Sequence, residues 1–561
     1  YISNSYWNSD TNSAATASGA GVNSGATGLT TAQMFEASNL EGFDFDGVWA
    51  NADNQTTPYL RALAGNRVFN KNDLPTGTID ATNRPALYTV IQNAEQLQAV
   101  RDNLSANYLL GNHIDASATA SWNGGAGFDP LGVSNNSFSG QLDGMGYIVD
   151  GLTIKRADQL GVGLFGYTTA DSQIRNLGLS NVNIQGQSFV GALVGKSLGI
   201  LDGVFATGRV RGDFVVGGLV GSSQGKITES YAATDIEAFS IAGGLVGSQG
   251  PGIYDSATRT RYPSTIDNSY ATGTIKVTVD PASGSAGGLV GMLDGAISNS
   301  YSTVIINDTV ARLIGSLTQG TLTNVYYANT DRDGNPLDAA GFDMGGRSWA
   351  AMTRLNTFSN WGNDIDAEGG TGAIWRIYEG HSTPLLRRFL TALEVTGEDA
   401  NVTYNGIEQA GTWSATGEYD ADRIFGQVGG GRNAGTYNID MSGLYSNQQG
   451  YDLIITDGGT LTINKAQATV TANSDTTTYN GNAQSVSGFT VDGLVNGEDQ
   501  SVLTGVTTNG GKGTNAGSYV LTVGGGSADN YELTFVDGTL TIERKAITGS
   551  ISADGKTYDG S

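Results

Sequence analysis

The sequence of 561 residues contains no cysteine, only 2 histidines and only 9 prolines. Without cysteine, the chain can form neither a disulfide framework nor a thiolate metal site. Two explanations of this absence stay open: a fold with a continuous core needs no disulfides, and a chain exported unfolded through an oxidising compartment avoids wrong thiol pairing. No apolar run reaches about 18 residues, so the sequence predicts no membrane span in these residues.

Charge is scarce as well. Charged residues make up 15 % of the chain, and acids outnumber bases 54 to 29, which gives a formal net charge of −25 at pH 7. An acidic surface repels polyanions. We therefore expect no nucleic acid partner and no electrostatic binding to anionic membranes.

Residues that could carry catalysis are dispersed. The two histidines, His113 and His381, lie far apart in the sequence. Acids such as Asp143, Asp150 and Asp171 do not recur in one pattern, whereas glycosidases need paired carboxylates. The sequence contains no nucleotide-binding glycine loop that opens a helix. We expect no enzyme activity, no catalytic residues and no bound organic cofactor.

Glycine is abundant instead, with 83 residues, and much of it lies in one repeated phrase. GGLVG and its variants GLFG and GALVG occupy residues 163–166, 191–195, 217–221, 243–247 and 287–291. Repeats with a period of about 20–50 residues are typical of stacked units that bury their apolar faces against each other. The longer last step predicts loop insertions near residues 251–263 and 277–284.

A second phrase, Ile/Leu-x-x-x-Tyr/Phe, runs in phase with the first and ends at Phe205, Tyr231, Tyr270, Tyr301 and Tyr326. Apolar residues between small or polar ones predict short strands, and glycines permit tight corners with positive φ. We expect a right-handed parallel β-helix, a solenoid whose coils stack at about 4.8 Å. The aromatic column fits core packing, with hydroxyls at the rim, better than a sugar-stacking platform.

A longer duplication divides the chain. The order SYWNSD, FDGVW and TPYLR within residues 1–67 recurs as NVYYANTD, AIW and TPLLR before residue 388. We interpret residues 1–67 as the closing cap of a preceding β-helix module and residues 68–392 as a β-helix module with its own cap. Each cap has a short helical pattern, at Met34 and at Met352, after a Thr or Ser N-cap. Such a cap is expected to block the open end of the solenoid.

A different repeat begins after residue 392. YNG, NAGTY and GTLTI, which begin at residues 404, 433 and 459, recur as YNG, NAGSY and GTLTI at 479, 515 and 538. The repeats predict β-sandwich-like modules at 393–466 and 467–546, and YDG at 558–560 predicts the start of a third at 547–561. We expect an elongated rod that is part of a longer protein, because the sequence begins and ends inside repeats.

The GGLVG and ISNSY coils resemble the GLUG motif of large bacterial surface proteins, and the later modules resemble the MBG and YDG repeats found beside it. Together the resemblances cover nearly the whole chain. Their combination resembles the fibre region of giant adhesins of the two-partner-secretion type, including biofilm-matrix adhesins of the CdrA type. The resemblance implies an extracellular, cell-surface structural protein exported through an outer-membrane transporter partner, and binding of exopolysaccharide or a host surface in some members.

Three functions stay open at this point. The chain is interpreted as an adhesive segment that promotes cell–cell or matrix adhesion in biofilms, with exopolysaccharide or another surface glycan as partner. Alternatively it is a passive stalk, or it binds a host receptor. The last alternative depends on Arg211, Gly212 and Asp213, the tripeptide that integrins recognise. In the 26-residue register these residues align with 185–187 and 237–239, which predicts an exposed corner. A tripeptide of this sequence also occurs by chance, so this alternative stays open.

Four residues have the spacing of a calcium loop: Asn329, Asp331, Asp333 and Asn335. Their alternating oxygens and the turn residue Gly334 are typical of calcium loops, and Ca²⁺ is the one metal ion that the sequence suggests. The twelfth position, Ala340, replaces the bidentate glutamate of an EF-hand. The counterpart at residues 8–12 keeps the spacing with weaker ligands. Asp, Asn and Gly also form turns without a metal, so both interpretations stay open.

Overall fold

The computed structural model describes residues 5–10, 26–76, 83–255, 260–278, 285–306, 313–337 and 345–558. The described chain is mostly β-structure and divides into two compact units, Tyr1–Leu390 and Thr391–Ser561. No helix among the described residues is long and apolar enough to cross a membrane.

The first unit contains a parallel β-solenoid, as the repeat predicts. One regular coil consists of Ile200–Asp202, Phe205–Gly212, Val215–Gly217 and Val220–Ser223, which belong to sheets 1, 2, 3 and 4 in that order. The next coil supplies the next strand of each sheet, in parallel and in the predicted register: Val210 pairs with Ile184 on one side and Ile236 on the other.

Sheets 1 and 2 extend furthest along the solenoid. Sheet 1 contains Arg67–Phe69, Leu87–Ile91, Asn107–Leu110, Gln141–Asp143, Gln173–Arg175, Ile200–Asp202, Lys226–Thr228, Thr265–Asp267, Ala296–Ser298 and Thr321–Thr323. Sheet 2 contains Ile114–Asp115, Ile148–Asp150, Thr153–Lys155, Gly178–Gln185, Phe205–Gly212, Tyr231–Ala238, Tyr270–Val277, Tyr301–Ser302, Ile305–Ile306, Tyr326–Ala328 and Gly346–Arg347. Apart from the antiparallel first pair of sheet 1, their strands pair in parallel.

Sheets 3 and 4 complete the coils. Sheet 3 contains Leu160–Val162, Ser188–Val190, Val215–Gly217, Ile241–Gly243 and Ser285–Gly287. Sheet 4 contains Phe165–Tyr167, Val194–Ser197, Val220–Ser223, Val246–Gln249, Val290–Leu293 and Ile314–Leu317. The first predicted insertion forms an antiparallel hairpin, Ile253–Asp255 with Thr260–Tyr262. Most of the second, residues 279–284, lies outside the described residues.

Short elements flank the coils. The helices of the first unit are Thr31–Phe35, Ala94–Ala99 and Trp349–Met352, and the 3₁₀ helices are Ala37–Asn39, Lys71–Asp73, Val100–Asp102, Ser117–Gly125, Leu355–Asp364 and Arg387–Phe389. The remaining strands are Ser5–Asn8, Ala26–Leu29, Trp49–Ala50, Tyr59–Leu60, Ile365–Asp366, Trp375–Arg376 and Leu385–Leu386. The helical patterns at Met34 and Met352 are confirmed, since Thr30 and Ser348 cap them by accepting backbone hydrogen bonds.

The glycines of GGLVG serve close packing and not, as the sequence suggested, positive φ. A β-carbon on Gly243 would lie 1.9 Å from the carbonyl oxygen of Val246 and 2.6 Å from the amide of Gly291 in the next coil. Neither Gly243 nor its neighbour Gly244 has a positive φ. Glycine is required because any side chain at Gly243 would collide with backbone, which cannot move without breaking the stack.

Asparagine takes the left-handed corner instead. The residue that follows each of the last six strands of sheet 1 has positive φ, and these residues are Asn176, Gly203, Glu229, Asn268, Asn299 and Asn324. Asparagine tolerates this conformation better than most residues with a β-carbon. The triplet NSY therefore has a structural explanation: Asn299 makes the corner, Ser300 is buried, and Tyr301 joins the aromatic column.

The aromatic column is buried core, as expected. Rings stack in register from Phe205 through Tyr231 and Tyr270 to Tyr301, with centroids 4.9 to 5.0 Å apart. Each stacked pair contributes roughly 0.5–1.5 kcal/mol beyond burial of its area. The hydroxyl of Tyr301 donates to the carbonyl oxygen of Pro384 at 2.6 Å. We call this column, with Tyr326, the aromatic ladder.

The closing segment, residues 345–390, covers the aromatic ladder. Phe358 packs on Tyr326, Trp375 on Tyr270 and Tyr301, and Phe389 on Phe205 and Tyr231, so the segment runs back along the coils. Only its first strand, Gly346–Arg347, pairs with a strand of the coils, Tyr326–Ala328 of sheet 2. The prediction that this passage blocks the open end is therefore wrong for most of its length. Apolar rings draw it onto the side of the solenoid.

The second unit contains two β modules that share their main strand pairings. The first has strands Thr391–Glu398, Ala400–Thr403, Gln409–Ala410, Thr412–Ala415, Ile424–Phe425, Gly430–Gly431, Gly435–Asn438, Tyr445–Ser446, Tyr451–Asp457 and Thr460–Asn464, with the 3₁₀ helix Ala421–Arg423. The second has Ala466–Ala472, Asp475–Thr478, Gln484–Ser485, Phe489–Asp492, Thr507–Gly510, Lys512–Gly513, Gly517–Gly524, Tyr531–Val536 and Gly538–Glu543, with the 3₁₀ helix Gln500–Val502. Residues 547–558 form no helix or strand, and 559–561 lie outside the described residues.

Candidate binding surface

The tripeptide of the integrin hypothesis lies at the corner between sheets 2 and 3. Arg211 and Gly212 end the strand Phe205–Gly212, and Asp213 is exposed in the turn that follows. The register agrees with the sequence analysis, because Arg211 pairs with Glu237 of the next coil. The guanidinium of Arg211 donates to Oε1 of Glu237 at 2.8 Å. Arg211 is therefore already engaged by a carboxylate, although the exposed corner allows a receptor to approach Asp213.

The same corner presents phenylalanines. Phe214 is 49 % exposed and Phe239, on the next coil, is 52 % exposed. Phe189, on the preceding coil, is half-buried, and Nζ of Lys196 lies 5.8 Å from its ring centroid. We call these three residues the phenylalanine corner. The sequence analysis missed them, although their spacing of 25 residues, one short of the coil repeat, is readable in the sequence.

Backbone pairing holds the phenylalanine corner rigid. The amide of Phe239 donates to the carbonyl oxygen of Asp213 at 3.0 Å, and the amide of Ile241 donates to that of Phe214 at 2.8 Å. The backbone that carries the two exposed rings is therefore fixed on neighbouring coils. Apolar rings on a rigid backbone, beside charged groups, can bind a ligand that has both apolar faces and hydroxyls.

The predicted calcium residues form a closed turn. Oδ1 of Asp331 accepts from the amides of Asp333 and Asn335 at 3.0 and 2.8 Å, and Oδ2 accepts from Nδ2 of Asn335 at 2.8 Å. The hydrogen bond from Asn335 lowers the pKa of Asp331 below its usual value. Among the described residues no group of three or more His, Cys, Asp or Glu side chains could hold a metal ion. Ala340 and Asn12 lie outside the described residues.

A polar network joins three parts of the first unit. Arg175 donates to Asp143 at 2.7 Å and to Asp73, in the 3₁₀ helix Lys71–Asp73, at 2.6 Å. Asn176 connects this group to Arg388, which donates to Oδ1 of Asn176 at 2.8 Å. These contacts are not predictable from sequence patterns, because the partners are distant in the chain.

The same network borders a cleft of about 270 Å³. Arg388 also pairs with Asp202 and Glu229, each at 3.2 Å. Burial raises the pKa of Glu229, while Arg388 opposes that rise. The cleft offers a guanidinium and amide side chains, and it is lined by two rings: Phe205, which is buried within the aromatic ladder, and Phe389, which is half-buried against Phe205. It therefore lacks the exposed ring faces of the phenylalanine corner.

Comparison with known families identifies one module. Residues 468–541 match the model of the MBG domain (YGX type). This range lies within the second β module, so the predicted MBG character is confirmed there. The first β module has the corresponding two parallel strand pairs.

Two relatives share parts of the chain. Halomucin of Haloquadratum walsbyi is 39 % identical over 145 residues, which are 24 % of this chain and 2 % of the relative. A protein named "Putative Gly-rich membrane protein", from Evansella cellulosilytica, is 35 % identical over 119 residues, 20 % of this chain and 14 % of the relative. The chain thus spans only a small share of the length of either relative.

Proposed function

We propose that this chain is an adhesive segment of a secreted bacterial surface protein, and that it binds exopolysaccharide in a biofilm matrix through the phenylalanine corner. The observation that carries the proposal is the exposure of Phe214 and Phe239 on neighbouring coils. Exposed apolar clusters on a rigid scaffold mark interaction surfaces. Flat rings that stand in water can pack against the C–H faces of sugar rings.

The charges around the phenylalanine corner favour binding of a glycan that carries little net charge. Arg211 and Glu237 neutralise each other at 2.8 Å, while Asp213 and Lys196 provide single hydrogen-bonding groups for hydroxyls. The whole chain has a formal charge of −25, which repels polyanionic polysaccharides. We therefore expect a neutral exopolysaccharide to bind more tightly than an acidic one.

The resemblance to GLUG and MBG adhesins supports a place at the cell surface, as does the similarity to halomucin and to a protein named as a membrane protein. In this proposal the chain is extracellular, and an outer-membrane transporter of the two-partner type exports it. The role is mechanical: each coil pairs with its neighbours through backbone hydrogen bonds, so a corner residue keeps its position under load.

The test is co-sedimentation of the chain with purified neutral and acidic exopolysaccharides. Burial of about half the surface of each ring on binding contributes about 1 kcal/mol to the binding free energy. The double variant Phe214→Ala, Phe239→Ala is therefore expected to bind the polysaccharide with roughly thirtyfold lower affinity. The matched control is Tyr254→Ala with Tyr262→Ala, because these hairpin rings are each 56 % exposed. The control is expected to pellet like the unaltered chain.

Two outcomes would overturn the proposal. Equal pelleting of the phenylalanine variant and the unaltered chain would remove the corner as the binding surface. Absence of pelleting with any polysaccharide would favour the alternative of a passive stalk, with recognition elsewhere in the full-length protein. Circular dichroism of both variants checks that the solenoid is folded, which is expected since both pairs are exposed.

A further inference from the structure

The two β modules share their main strand pairings. In each, the first strand pairs in parallel with the strand that begins at Tyr451 or at Tyr531, and antiparallel with a third strand. The hydroxyls of Tyr437 and Tyr519 donate to the carbonyl oxygens of Asn433 and Asn515 at 2.8 and 2.9 Å. Residues that occupy equal positions can therefore be compared directly between the modules.

The first module docks on the second through a glutamate. The hydroxyl of Tyr404 in the first module donates to Oε1 of Glu498 at 2.5 Å, and Tyr531 of the second module donates to Oε2 at 2.5 Å. The rings of Tyr404 and Tyr531 meet edge to face, 5.5 Å apart. Hydrogen bonds to an ionised carboxylate are stronger than neutral ones, so Glu498 is the centre of this junction.

Two amide side chains complete the junction. Nδ2 of Asn496 donates to the carbonyl oxygen of Gly406 at 3.0 Å. Oδ1 of Asn530 accepts from the amide of Ala434 at 2.9 Å, and its Nδ2 donates to Oδ1 of Asn433 at 3.2 Å. The second module thus presents an Asn-Gly-Glu loop and an asparagine to the YNG and NAG phrases of the first.

The second module carries the same YNG and NAG phrases, but they face solvent. Tyr404 is 3 % exposed, whereas its equivalent Tyr479 is 38 % exposed. A β-carbon on Gly406 would lie 2.5 Å from Cβ of Asn496, whereas one on its equivalent Gly481 would have no atom within 4 Å. Asn515 and Ala516 are exposed as well. We call Tyr479, Gly481, Asn515 and Ala516 the docking face.

We propose that the docking face binds a further MBG-type module that presents an Asn-x-Glu loop and an asparagine, as the second module does toward the first. The residues that follow the second module support this occupant, because ISADGKTYDG at 551–560 matches the YNG passage of both modules. The interface is head-to-tail, with different surfaces on its two sides, so the same contact can repeat from one module to the next. Each added module would be held at the same junction by its own glutamate.

The test uses residues 1–546 followed directly by a second copy of residues 467–546, in place of residues 547–561. The sequence has no cysteine, so an engineered pair reports proximity without background. Ala516→Cys in the second module is combined with Asn530→Cys in the added copy, which reproduces the contact of Ala434 with Asn530. Ala434→Cys with Asn530→Cys in the original chain is the positive control. Both chains are expected to form the disulfide at similar rates.

Glu498→Gln in the added copy alone is the matched variant. It keeps the shape of the side chain and removes its charge, so the added copy still folds while disulfide formation slows at least about tenfold. A disulfide in the control but not in the extended chain would overturn the proposal. So would equal rates with Glu498 and with Gln, because proximity would then come from the linker alone. Circular dichroism verifies that the added copy is folded.

Discussion

Trp375 of the closing segment packs against Tyr301 of the solenoid, with ring centroids 5.8 Å apart. Its Nε1 also donates to Oδ1 of Asn268 at 3.3 Å, on the left-handed corner of the preceding coil. One indole thus covers the aromatic ladder and binds the asparagine column beside it. Both rings are buried, so the closing segment is part of the core of the first unit.

Removal of this indole is expected to destabilise the first unit. Trp375→Ala leaves a cavity over the aromatic ladder and should lower the free energy of unfolding by about 3–5 kcal/mol. Trp375→Phe retains most of the ring contact and should cost less. Urea unfolding followed by circular dichroism measures both. A loss below about 1 kcal/mol for the alanine variant would show that the closing segment adds little to the core.

The packing role of the repeated glycines can be tested by one methyl group. Gly243→Ala places a carbon 1.9 Å from the carbonyl oxygen of Val246, so the coil must shift. The expected loss is about 1–3 kcal/mol or more. Gly372→Ala is the control, because an added β-carbon there has no atom within 4 Å. Equal unfolding midpoints for the two variants would contradict the packing explanation.

The sequence was sufficient for the coil register but not for the use of its glycines. Val210, Ile184 and Ile236 recur at 26 residues, and apolar residues in a repeat must stack to be buried. Glycine, by contrast, is compatible both with positive φ and with close packing. The phrase GGLVG does not separate the two, and the structure favours packing.

The candidate sites depended on contacts that no local pattern contains. Arg388 binds Asn176, Asp202 and Glu229 of three coils, and these residues share a side of the solenoid but no common chemistry. The path of the closing segment is therefore set by tertiary packing. The exposure of Phe214 also depends on which corner of the coil it occupies, which the alternation of apolar residues leaves undetermined.

The calcium site at Asp331 stays a prediction. A cation there must replace the hydrogen bonds that Asn335 donates to Asp331, so weak binding of about 0.1–1 mM, typical of extracellular modules, is expected. Isothermal titration should show saturable binding that Asp331→Asn abolishes. Asp158→Asn, an exposed acid elsewhere in the first unit, is the control. Titration of the unaltered chain without saturable heat would exclude the site.

The integrin hypothesis predicts opposite effects on cell attachment for substitutions of Asp213 and of Glu237. Attachment of cells to a coated surface through Arg211 and Asp213 should be abolished by Asp213→Glu, which preserves the charge but displaces the carboxylate. Glu237→Ala releases the guanidinium of Arg211 from its ion pair at 2.8 Å and should increase attachment. Attachment that neither variant changes would show that this corner is not a receptor site.

The junction between the two β modules should weaken in alkali. Burial, with the hydrogen bond to Glu498, raises the pKa of Tyr531 to about 12 in the folded chain, against about 10 in the unfolded chain. A raised pKa means that the folded state holds the proton more tightly than the unfolded state does. The stabilisation that the protonated hydroxyl of Tyr531 gives the folded state is therefore complete below about pH 10 and is lost as the pH rises toward 12. Calorimetric unfolding temperatures measured across this range should fall more steeply for the unaltered chain than for Tyr531→Phe, which cannot ionise. Parallel curves would mean that Tyr531 has an ordinary pKa and that its bond to Glu498 does not hold the modules together.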